Sequence, residues 1–184
     1  MNDSINNTLL KKISDIDTKI FKKKAIISIL NKSRFMETAC AQYIHSKNIF
    51  WRLFIKDEYV IYGDVLESFF KNISADQEKI DRYLSMTACH EVRHRFQMYN
   101  PTKIIPSLFF EKNKDNPLIS SVIRDTEIKG YPSEQIKLLE LDANLVTQLV
   151  SVAYWNKEID LSEIVTADQE NIHQFIKKLG LLFD

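Results

Sequence analysis

The sequence predicts an α+β fold, mostly helical with a small β-sheet. Breakers are scarce, three glycines and four prolines in 184 residues, so long stretches are left able to run as helix. Apolar residues recur at helical spacing over most of the chain. One segment departs from that spacing. Residues 48–64, "NIFWRLFIKDEYVIYGD", are dense in aromatic and β-branched side chains, which suit strands better than helices.

Residues 5 to about 46 form a helical N-terminal segment on this reading. Leu9, Ile13, Ile16 and Ile20 make one apolar stripe; Ile26, Ile29, Leu30, Phe35, Ala39 and Tyr43 continue it. The pattern allows two helices, or one broken near Asn31–Ser33. Lys22, Lys23 and Lys24 form a solvated face, because no aromatic residues interleave with them as on a nucleic-acid surface. The aromatic segment breaks at Lys56–Glu58 and reads as two short strands and a turn. Phe50, Trp51, Phe54, Tyr59 and Tyr62 pack that sheet on this reading. Helical patterning resumes from Val65 to Phe70.

The strongest helix follows, residues 74–99, "SADQEKIDRYLSMTACHEVRHRFQMY". Ser74 or Asp76 can cap its start, and Pro101 lies just beyond its end. Residues 100–133 read as a long connection, holding all four prolines, Gly130 and the polar run "EKNKDN". A last pair of helices is expected at 132–155 and after Leu161. No internal repeat or composition shift marks a boundary, so residues 1–184 read as a single domain.

Composition narrows the function. Hydrophobic residues make up 45% and charged residues 27%, the profile of a soluble globular protein. Lysine plus arginine equals aspartate plus glutamate, 25 each, which favours neither nucleic acid nor an anionic membrane as partner. No run is long enough to span a bilayer. The polar start "MNDSINNTLLKK" lacks the apolar centre of a signal peptide. The cytoplasm is the expected compartment. Cys40 and Cys89 stand too far apart in sequence to suggest a disulfide framework.

The chemistry concentrates in "TACHEVRHRFQ", residues 87–97. On a helix, positions i and i+4 share a face, so His90 and His94 present two imidazoles to one point. Glu91 sits about 100° around the helix, within reach of a water on a metal held by the histidines. A catalytic zinc takes three protein ligands and keeps one position open. Downstream, "LLELDANLV" places Glu140, Ala143, Asn144 and Thr147 on one helical face. Glu140 is the expected third ligand. Ala143 permits close helix approach, and Asn144 can steady a histidine ring. Asp142 is the competing ligand, on roughly the opposite face from Glu140.

"HEVRH" followed by "ELDAN" resembles the gluzincin group of zincin metallopeptidases, with H-E-x-x-H on one helix and E-x-x-A-[DN] on a later one. The small ImmA/IrrE-type metallopeptidases are similar. The resemblance covers residues 87–97 and 138–150. Arg93 stands where many members have glycine. It implies a zincin-like fold, with the histidine helix packed against the later glutamate-bearing helix. It also implies a Zn2+-dependent peptidase acting on a protein or peptide. Zinc held by His90, His94 and Glu140 would acidify a water, with Glu91 taking its proton and returning it to the leaving amine. The aromatic strands at 49–62 would stand where zincins keep the strand that pairs with extended substrate. Tyr131 and Arg93 are the candidates for stabilising the oxyanion.

Other readings accompany these. Arg93 can instead pair with an acidic side chain on the helix surface. Gln97 either lines the cleft or ends the helix. Cys89 reads as a small core residue, and His45 and His173 as ordinary hydrogen-bonded or exposed histidines. The rival function is a zincin-scaffold binding protein with a structural zinc and no turnover. Retention of Glu91 weighs against it, since a structural site needs ligands but no base.

Overall fold

The computed structural model describes residues 2–30, 41–44, 57–72 and 76–152. Six α-helices and three strands lie within them: α1 (Asn2–Ile20), β1 (Ile26–Leu30), β2 (Ala41–Ile44), β3 (Glu58–Tyr62), α2 (Gly63–Asn72), α3 (Gln77–Tyr99), α4 (Ser107–Lys112), α5 (Pro117–Ile128) and α6 (Glu134–Ser151). This is an α+β chain, mostly helical with one three-stranded sheet. Among the described residues no helix is long and apolar enough to cross a membrane. Two compact units divide the chain, Met1–Arg95 and Phe96–Asp184.

In the first unit the sheet order is β1-β3-β2. β3 pairs in parallel with β1, Ser28 opposite Val60, and antiparallel with β2, Tyr43 opposite Tyr59. The central position explains why Tyr59, Val60 and Ile61 are all buried: a strand with neighbours on both sides and covered faces reads as a continuous apolar run. α1 buries Leu9, Ile13 and Ile16, and α3 buries Leu84, Ala88 and Val92, each set one helical stripe. Phe69 of α2 stacks on Tyr83 of α3 with centroids 4.4 Å apart. Gly63 opens α2 where a Cβ would meet Asn6 Nδ2 of α1 at 2.7 Å, so these elements touch closely at a residue without a side chain.

A buried cation ties this unit together. Arg95, 2% exposed, donates to both oxygens of Asp17 at 2.6 Å, to Asp57 at 3.1 Å and to the Lys23 carbonyl at 2.8 Å. Its guanidinium also lies 4.3 Å from the centre of the Phe21 ring. Tyr59 Oη donates to Asp17 at 2.7 Å, Tyr43 Oη to Asp57 at 2.9 Å, and Ala25 N–H to Asp17 at 3.3 Å. Burial alone would lower the Arg95 pKa. The hydrogen bonds and charge of Asp17, with Tyr59 and Asp57, outweigh it and hold the pKa above its ordinary value. Tyr59 is also raised, by burial first and then by the charge and hydrogen bond of Asp17.

The described part of the second unit is helical. A 3₁₀ turn at Pro101–Lys103 leads to α4, α5 and α6. Asn116 caps α5 by accepting from Leu118 and Ile119 N–H, and Ser133 caps α6 by accepting from Ile136 N–H. α6 buries Leu141, Leu145 and Leu149.

Two sequence expectations are corrected. The N-terminal segment does not stay helical to about residue 46: α1 ends at Ile20, and residues 26–30 and 41–44 are strands. The spacing of Ile26, Ile29 and Leu30 fits a helix, but "IISIL" is rich in β-branched residues and pairs with β3 along its full length. Residues 100–133 are not an irregular connection; they hold α4 and α5. Pro117 opens α5 at a position where a helix needs no N–H. The expected strand at 49–56, the helix after Leu161, Ser74, Cys40, His45 and His173 lie outside the described residues. Asp76, the other proposed cap, accepts from Lys79 N–H at 2.8 Å, a bond that lowers its pKa.

Replacing Arg95 by Met leaves Asp17 and Asp57 buried together without their cation, and should cost about 3–5 kcal/mol in urea denaturation. Stability should also fall as pH rises above about 10, because the unfolded chain loses the tyrosine proton that folded Tyr59 keeps. Tyr59→Phe, weaker at neutral pH, should lose less with rising pH; equal slopes would contradict the assignment.

Candidate metal centre

α3 carries the histidine pair deep in its length, not at a frayed end. Asp76 caps the helix about four turns before His90, and the run "MTAC" lets Ala88 and Cys89 sit fully buried beside it. His90 Nε2 and His94 Nε2 lie 3.0 Å apart, with their rings perpendicular. A tetrahedral ion with bonds of about 2.0–2.1 Å sets ligand nitrogens about 3.3 Å apart. The two imidazoles therefore already converge to nearly the spacing that one ion requires.

Glu91 lies between them in sequence and is buried, 6% exposed. Its Oε2 accepts the backbone N–H of Tyr43 on β2 at 2.7 Å. A main-chain donor in a paired strand has little freedom, so the carboxylate plane is set by the sheet. Tyr43 is held in turn at its phenol by Asp57, which bonds Arg95. Arg95, beside His94, thus reaches Glu91 through Asp57 and Tyr43, all within the first unit.

Arg93 is 0% exposed. It therefore does not lie on the helix surface, where the sequence reading places it. Cys89 is buried, as a small core residue would be.

In the second unit Glu140 is part-buried on α6 and accepts from Tyr131 Oη at 3.1 Å. Asp142 is fully buried, and both oxygens are engaged: Oδ2 accepts from Gln97 Nε2 at 2.6 Å and Oδ1 from Ile105 N–H at 3.0 Å. Gln97 Nε2 also donates to the Leu139 carbonyl at 2.7 Å. Gln97 neither ends α3 nor faces solvent; it fastens the end of that helix to α6. Asn144 donates to Thr126 Oγ1 of α5 at 3.1 Å, so its amide braces the helix pair α5–α6.

Sequence reasoning missed the Arg95 cluster, the Tyr43 contact to Glu91, and the anchoring of Gln97 on Asp142. Two signals were present. Asp17 falls on the apolar stripe of Ile13 and Ile16, and Asp142 on that of Leu138, Leu145 and Leu149. A charge on a buried face needs a buried partner. The identity of each partner depends on tertiary pairing that spacing does not encode. Comparison with protein-family models, curated proteins and solved structures gives no match.

Asp142→Ala would strand Gln97 and the Ile105 N–H. It should lower unfolding stability by about 1.5–3 kcal/mol while leaving the stoichiometry of any bound metal in the folded protein unchanged. A full-stability variant that had lost metal would make Asp142 a ligand instead.

Proposed function

We propose that this chain is a zincin-like zinc metallopeptidase in which His90, His94 and Glu140 hold one Zn2+ and Glu91 is the general base. The observation that carries the reading is the 3.0 Å approach of the two imidazole nitrogens with a buried carboxylate following the first histidine. Two imidazoles and a carboxylate are a donor set suited to catalytic zinc. Within the second unit Gln97 bonds the Leu139 carbonyl and Asp142, on the same turn of α6 as Glu140. With Asp142 committed to Gln97 and Ile105, Glu140 is the acid on this stretch that suits ligation.

Zinc, when bound, supplies a Lewis acid that polarises the scissile carbonyl and makes water acidic enough to be deprotonated near neutral pH. Glu91 accepts the proton of the attacking water as the C–O bond forms, and passes it to the amide nitrogen as the C–N bond breaks. The Tyr43 N–H keeps the carboxylate oriented for both transfers. The substrate class is a peptide or protein.

Purified protein should bind close to one zinc per chain. His90→Ala and His94→Ala should lose most of it, as should Glu140→Gln. Glu91→Gln should keep zinc and fold normally, yet hydrolyse a fluorescence-quenched peptide library about 10²–10⁴-fold more slowly. Equal hydrolysis by wild type and Glu91→Gln would remove the peptidase reading and leave a metal-binding protein. Wild type that takes up no zinc when it is supplied would remove the site.

A further inference from the structure

We infer that Tyr131 is a positioning residue for the metal ligand Glu140, and not the oxyanion stabiliser that its place in the sequence suggests. The inference rests on the reading of Glu140 as a ligand. Its own support is the hydrogen bond from Tyr131 Oη to Glu140 Oε2, 3.1 Å, inside one compact unit.

The chain is built to hold that phenol in place. α5 ends at Ile128, and Lys129 still has helical dihedrals. Gly130 then takes φ +63, the left-handed conformation that reverses a helix end and that glycine adopts without steric cost. Its N–H donates to the Glu127 carbonyl at 3.2 Å. The reversal leaves Tyr131 two residues before the α6 cap, Ser133. Two further contacts fix α5 against α6 on either side of Glu140: Lys137 to Glu127 at 3.2 Å, and Asn144 to Thr126 at 3.1 Å. Tyr131 is therefore carried by a braced turn and not by a loose loop.

The chemistry follows from the direction of the bond. A phenol donating to one carboxylate oxygen holds the carboxylate in one rotamer and favours ligation through a single oxygen. A group that bonds a ligand in this way raises metal affinity by removing the freedom the ligand would otherwise lose on binding. A tyrosine committed to Glu140 donates its hydrogen bond to the ligand, whereas an oxyanion stabiliser must donate it to the substrate. The two roles differ in what they do to metal binding.

The test is zinc affinity, measured by competition with a chromophoric chelator, for wild type, Tyr131→Phe, Glu140→Gln and the double variant. The phenylalanine keeps the ring and removes only the hydroxyl. Matching thermal unfolding of the metal-free proteins checks that the fold is intact. Tyr131→Phe should weaken zinc binding about 10–100-fold. In the Glu140→Gln background the same change should add less than about threefold, since contacting residues couple. The Co2+-loaded protein should also show a shifted visible spectrum in Tyr131→Phe and an unchanged one in Tyr99→Phe. If Glu140→Gln loses zinc but Tyr131→Phe binds it like wild type, the positioning role is overturned and the ligand assignment stands. If Glu140→Gln binds zinc like wild type, the ligand assignment fails and this inference falls with it.

Discussion

Arg95 is buried with two carboxylates, and the first unit is organised around that fact. Taking a guanidinium out of water is costly, and its attraction to Asp17 and Asp57 repays the cost only with good geometry and further hydrogen bonds. The structure supplies both. Asp17 comes from α1, Asp57 from the residue before β3, and the Lys23 carbonyl from the turn between α1 and β1. Tyr59 and Tyr43 add hydroxyl donors from β3 and β2. One side chain on α3 therefore fixes where the first helix and all three strands stand. A cluster of this kind specifies an arrangement more than it adds stability, because a misplaced partner leaves a buried charge unpaired.

Its position ties it to Glu91. Arg95 directly follows His94 and is four residues past Glu91 on the same helix. Tyr43 connects the two: its phenol bonds Asp57 and its main-chain N–H bonds Glu91. A strand register that slipped by one residue would turn the Tyr43 amide away from Glu91, because N–H groups alternate in direction along a strand. The same ion cluster that sets the sheet thus sets the carboxylate. The contacts that hold Glu91 thus run back through Tyr43, Asp57 and Arg95 to Asp17 on α1.

Much of this was legible in the sequence and some was not, for physical reasons. α3 is readable because a long apolar stripe, an acidic cap and a following proline agree. α6 is readable from its apolar stripe alone. The H-E-x-x-H spacing places His90 and His94 on one face of α3, because residues four apart on a helix are neighbours. β1 is hidden because five residues are too few to separate a period of two from one of 3.6, and its strand state is decided by β3. α4 and α5 are hidden because proline, read as a breaker, also opens helices. Arg93 and Arg95 look like surface residues because composition favours exposed arginine; Asp17 and Asp57 bring Arg95 inside. Glu140 is singled out by face alone, and the phenol that bonds it is nine residues earlier, at a distance no helical period relates.

The central claim is a particular donor set: two imidazoles from one helix and one carboxylate oxygen from another. X-ray absorption at the zinc edge of the zinc-loaded protein reads that set directly. The expected shell is nitrogen and oxygen at about 2.0–2.2 Å, with multiple scattering from two imidazoles and no sulfur. Glu140→Gln should lose the carboxylate oxygen while the two imidazoles persist in whatever zinc remains. A sulfur neighbour at about 2.3 Å, or a shell with fewer than two imidazoles, would contradict the assignment.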